Sequence, residues 1–107
     1  MPGLALTAAD DGRALSVGPG TEITIMLAEN PTTGYGWQIA GPLPGCLASK
    51  SSRYDRGGGA LVGQGGWRSF GFVAVAAGSC DLALELRRPW ETEAAAADRF
   101  RVHVTVR

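Results

Sequence analysis

Residues 99–106 read Arg-Phe-Arg-Val-His-Val-Thr-Val. Phe100, Val102, Val104 and Val106 recur at every second position, with Arg99, Arg101, His103 and Thr105 between them. In an extended chain that spacing puts the first set on one face and the second on the other, so the segment reads as a strand with one wet face. Residues 80–87 repeat the pattern: Cys80, Leu82, Leu84 and Leu86 face inward, while Asp81, Glu85 and Arg87 face out. In 21–28, Ile23, Ile25 and Leu27 oppose Glu22 and Thr24. In 35–40, Tyr35, Trp37 and Ile39 share a face. In 67–76, Phe70, Phe72 and Ala74 oppose Val73 and Val75, so both faces are partly apolar. Segments 4–6 and 13–17 are shorter candidates, and 47–62 is expected to hold one more strand whose limits the pattern does not fix.

Alternation with polar outer positions belongs to antiparallel sheets that bury one face. About seven such strands in 107 residues predict an all-β, immunoglobulin-like antiparallel β-sandwich. Residues 1–107 are expected to form one domain, since no linker, repeat or low-complexity stretch divides them. Sixteen glycines, several in clusters, leave little room for long helices. The best helical stretch, Glu-Thr-Glu-Ala-Ala-Ala-Ala-Asp at 91–98, is too short to stand alone and reads as a loop with at most one helical turn. Trp37 suits a core tryptophan, and the absence of cysteine from 21–28 rules out an antibody-type disulfide.

Composition removes several function classes. Ten basic and ten acidic residues give no net charge, so there is no basic footprint for nucleic acid and no pull toward an anionic membrane. His103 is the one histidine, and no CxxC is present, which argues against an enzyme, a zinc site or a redox motif. No cofactor or metal is expected. The opening Met-Pro-Gly-Leu-Ala-Leu-Thr-Ala-Ala-Asp lacks a basic n-region and a long apolar core, so it is not an intact signal peptide. A cytosolic protein and an exported one whose leader was removed both fit, and the compartment stays open.

Three connections carry more chemistry than a turn needs. They are Asn30-Pro31-Thr32-Thr33-Gly34-Tyr35, Gly63-Gln64-Gly65-Gly66 and Arg88-Pro89-Trp90. Strands that alternate up and down put all three at one end of a sandwich, where loops of this fold form composite binding surfaces. Pro31 restricts the backbone, and Gly34 can supply a positive φ. Thr32 and Thr33 are then expected at the tip with hydroxyls outward. The glycine run leaves backbone polar groups unshielded for pairing with a groove. Trp90 beside Arg88 has the composition of an interface hot spot, although a tryptophan folded back over the core would fit equally well.

The order and spacing of NPTTGY, GQGG and RPW resemble those of the chagasin-like inhibitors of papain-type cysteine proteases. The resemblance runs from about residue 21 to the C-terminus. It implies an immunoglobulin-like β-sandwich that inhibits a papain-like cysteine protease without being cleaved; with no nucleophile to act on the protease, binding is expected to be steric and reversible. By that resemblance Asn30, Pro31, Thr32, Thr33, Gly34 and Tyr35 enter the active-site cleft. Gly63, Gln64, Gly65 and Gly66 line one side, and Arg88, Pro89 and Trp90 flank the other. The free chain is expected to be a monomer. The alternative is a non-inhibitory immunoglobulin-like binding or adhesion module that uses the same loops.

Other residues read as structural. His103 lies in the exposed phase of its strand without a partner in sequence. Cys80 shares its phase with Leu82 and Leu84 and reads as a buried thiol. A Cys46–Cys80 disulfide needs α-carbons within about 7 Å, which the sequence leaves open. Arg87 reads as solvated, and Arg53 to Arg56 with Tyr54 reads as a polar loop.

Overall fold

A computed structural model of the chain describes residues 3–30, 33–55, 66–90 and 96–107. Its strands are β1 (Leu4–Leu6), β2 (Ala14–Val17), β3 (Glu22–Glu29), β4 (Gly36–Ile39), β5 (Leu47–Asp55), β6 (Gly66–Ala74), β7 (Gly78–Arg87) and β8 (Asp98–Val106). They form two four-stranded sheets, ordered β1-β3-β6-β5 and β2-β8-β7-β4. The inward residues of both sheets form one core. Ile23, Ile25, Leu27, Phe70 and Phe72 come from the first sheet, and Leu82, Leu84, Phe100, Val102 and Val104 from the second. Trp37 is half-buried and packs against that core.

The sandwich has two features the alternation did not supply. Its described residues form eight strands, and both sheets are mixed. β1 pairs with β3 in parallel, and β2 pairs with β8 in parallel. The N-terminal strand is therefore split between the sheets. It crosses at a 3-10 turn, Ala8–Asp10. Asp10 tethers this crossing, accepting from the Thr7 backbone N–H at 2.9 Å and pairing with Arg13 at 2.7 Å. The other pairings, β3–β6, β5–β6, β4–β7 and β7–β8, are antiparallel. Three- and four-residue strands carry too little pattern to announce direction, which is set by whichever sheet edge lies open.

Residues 56–62 lie outside the described residues, and the strand expected within 47–62 is β5. Only Leu47 in it is fully buried, and a register shift falls between Ser49 and Ser51. It is an edge strand, and a bulge with an extruded lysine suits an edge that must not recruit another chain. Residues 53–55 are strand, not loop, and the half-buried Tyr54 lies under Arg68, with 5.6 Å from guanidinium carbon to ring centroid. The helical turn considered for 91–98 falls mostly outside the described residues, and β8 begins at Asp98.

Cys46 and Cys80 are joined, with α-carbons 6.5 Å apart. Cys80 is thus not a free thiol: it lies opposite Val104 on the inner face of β7, where it meets Cys46 just before β5. The bond ties one sheet to the other at the pole where β7 starts and β6 ends. His103 faces outward on β8 and pairs at 2.8 Å with Asp81, its cross-strand neighbour.

Two outcomes follow from these ties. Replacing both cysteines with serine should lower the unfolding free energy in urea by about 2–4 kcal/mol while leaving the strand signal intact. On the outer face, Glu22 pairs with Lys50, whose hydrogen bond and charge hold the Glu22 carboxyl below its ordinary value of 4.5. A lowered carboxylate contributes stability above its unfolded pKa, and that contribution is lost as pH falls through the folded one. Wild type should therefore exceed Glu22→Gln in urea midpoint at pH 6, and the gap should narrow as pH falls below 4.5.

Candidate functional site

The sheet registers decide where the three segments lie. Glu29, the last residue of β3, is opposite Gly66, the first of β6. Gly36, the first of β4, is opposite Arg87, the last of β7. Residues 30–35 link β3 to β4, so this loop leaves beside the start of β6 and returns beside the end of β7. Gly66 and the described parts of the other two segments are therefore at one pole, opposite the disulfide. Pro31, Thr32, Gly63, Gln64 and Gly65 lie outside the described residues.

Beneath this pole is a residue that the sequence reading passed over. Glu29 is in phase with Ile23, Ile25 and Leu27 and is only 5% exposed. A carboxylate removed from water must be hydrogen-bonded or paired. One oxygen, Oε1, accepts the backbone N–H of Trp37 at 2.7 Å. The other, Oε2, accepts Nη2 of Arg68 at 2.9 Å and Nε at 3.2 Å. The Trp37 indole N–H adds a bond to the Ala28 carbonyl at 2.9 Å. These contacts join β3 and β6 in one sheet to β4 in the other, and so fix both feet of the 30–35 loop. The available signal was a lone acid in an inward phase, immediately before Asn-Pro.

The Thr33 hydroxyl is turned into the loop. The Thr33 hydroxyl donates to the Asn30 carbonyl at 2.8 Å and accepts the Tyr35 N–H at 3.2 Å. The Thr33 backbone N–H also reaches the Asn30 carbonyl, at 3.2 Å. The expectation of an outward Thr33 hydroxyl is thus corrected. A tight turn leaves backbone groups without ladder partners, and a β-branched hydroxyl is the nearest substitute.

Arg88 couples this loop to the third segment. Its Nε donates to the Thr33 carbonyl at 3.3 Å. Its guanidinium carbon lies 4.4 Å from the Tyr35 ring centroid and 5.9 Å from that of Trp90. Both are cation–π distances. Trp90 does not fold back over the core: it is 69% exposed, although the edge of its ring rests on Gly34. Gly34 has φ of +81°, and a Cβ placed there would come within 2.8 Å of Trp90 Cη2. The glycine is needed twice, for backbone conformation and for the ring above it.

The resulting surface braces Thr33 and Tyr35 on Arg88 and carries an exposed indole at its flank. Among the described residues no group of His, Cys, Asp and Glu side chains is arranged to hold a metal. The arrangement presents shape and apolar area. Gly34→Ala should keep the fold, lower stability by about 1–2 kcal/mol in urea denaturation, and shift the Trp90 indole resonance in an NMR spectrum. An unmoved resonance would place the ring elsewhere.

Comparison with known proteins gives this surface its context. Residues 16–104 match the model of the chagasin family of peptidase inhibitors, I42. Chagasin of Trypanosoma cruzi is 30% identical over 103 residues, covering 92% of this chain and 94% of that protein. The cysteine protease inhibitor EhICP2 from Entamoeba histolytica superposes with a TM-score of 0.85 at 24% identity, covering 97% of this chain and 95% of its own. PbICP-C, solved in complex with falcipain-2, superposes with a TM-score of 0.66 at 18% identity, covering 98% of this chain and all of its own. The chain belongs to the chagasin family, whose members are peptidase inhibitors and not enzymes.

Proposed function

We propose that this chain is a reversible, tight-binding, non-covalent inhibitor of papain-like cysteine proteases, and that it blocks the active-site cleft with the three segments at one pole. The observation that carries this reading is the Arg88 bridge, which locks an exposed tryptophan to the side of a narrow loop. A loop held in its bound shape before docking loses little conformational entropy on binding. Chagasin and PbICP-C, the latter bound to falcipain-2, support the choice of target class.

In this mechanism residues 30–35 fill the space a substrate needs, with Thr32 and Thr33 nearest the catalytic thiol. The loop resists conversion into an extended substrate because that change would break the bonds of Thr33 and Arg88. Gly63 to Gly66 lie along one wall by backbone contact, and Arg88 to Trp90 lie along the other, with the Trp90 indole on the enzyme. Such a contact has the standard protease–inhibitor size of about 1,600 Å² in total.

Titration into papain with a fluorogenic peptide should give nanomolar inhibition that reverses on dilution, with the added chain uncut. Trp90→Ala should raise the inhibition constant by about 30-fold, the equivalent of about 2 kcal/mol for a hot spot, with the melting temperature measured alongside. Absence of inhibition at micromolar concentration by folded wild type would favour a binding module with another partner.

A further inference from the structure

The outer face of the first sheet changes character along its length. Toward the disulfide pole it is crossed by the Glu22–Lys50 ion pair, which spans from β3 over β6 to β5. Toward the loop pole Ala28 and Trp67 form one cross-strand row, and Met26 and Ser69 form the next. Met26 is 41% exposed and Trp67 44% exposed. Diagonal positions in neighbouring rows are about 7–8 Å apart, within reach of long side chains. Met26, Ala28 and Trp67 therefore make a small apolar pad flanked by Ser69, Arg53 and Asp55, with Thr24, Gly71 and Ser51 in the next row and Val73 nearer the disulfide pole.

This pad is continuous with the site. Trp67 directly follows Gly66, the last residue of the glycine-rich segment. The Ala28–Trp67 row adjoins the Glu29–Gly66 row from which two of the three segments depart. A body seated on the glycine-rich segment would stand beside this tryptophan. The glycines can supply only backbone contacts there, whereas an indole supplies area and a donor.

Resting on the inhibitor reading above, we propose that Trp67, backed by Met26 and Ala28, is a fourth contact with the protease. It packs against the outer shoulder of the cleft wall that the glycine-rich segment lines. It also makes affinity depend on how apolar that shoulder is in each papain-like protease.

The test measures inhibition constants of wild type, Trp67→Ala and Met26→Thr against papain, cathepsin L and cathepsin B, with melting temperatures and sedimentation. The expected result is a rise of about tenfold or more for Trp67→Ala on at least one protease, carried by faster dissociation and unequal among the three, with the melting temperature unchanged. Met26→Thr should move the same protease in the same direction by less. Unchanged constants for both variants on all three, with wild type still inhibiting, would overturn the fourth contact and leave the inhibitor reading intact. Unchanged constants with a wild-type dimer that Trp67→Ala converts to monomer would assign the pad to self-association instead. Failure of wild type to inhibit any of the three would overturn the inhibitor reading itself.

Discussion

Glu29 is a carboxylate taken out of water at the pole where the loops leave the sandwich, and its need for partners organises that pole. Its partners are the Trp37 backbone N–H in one sheet and the Arg68 guanidinium in the other. Removing either side of such a pair leaves a buried charge uncompensated, which is costly. The distance between the ends of the 30–35 loop is therefore set by chemistry beneath it and not by the loop. The disulfide does the corresponding work at the far pole. Each pole has its own tie between sheets, and the hydrophobic core fills the space between.

Above that base the same logic recurs on a smaller scale. Thr33 closes the loop on itself, and Arg88 closes it onto the third segment. Among the described residues of these two segments, what remains for a partner is largely backbone shape and the exposed face of Trp90. A protein that inhibits without chemistry must present a surface costing little to hold in place, and this surface has given up its polar flexibility before any encounter.

The parts legible in the sequence were those with a local cause. Strict alternation located β3, β7 and β8 nearly to the residue, because each buries one face against the opposite sheet. The side-by-side emergence of the loops followed from strands that alternate in direction. Non-local causes were hidden. β5 was indistinct because an edge strand with a single fully buried residue carries no apolar rhythm. The parallel pairings of β1 and β2 depend on which edges other strands leave open. The cysteine pair needed a distance that only the folded chain supplies. Glu29 is the instructive omission: its phase was visible, but the strand was ended one residue before it. The Thr33 hydroxyl was expected outward because composition does not reveal which backbone groups a turn leaves unsatisfied.

The central claim is that one pole of a rigid sandwich seals the protease cleft. Hydrogen exchange of the inhibitor, free and in complex with papain, tests it directly. The account predicts slowed exchange confined to 30–35, 63–67 and 88–90, with amides around Cys46 and Cys80 unchanged. Protection concentrated at the disulfide pole, with the three segments exchanging as in the free chain, would contradict it.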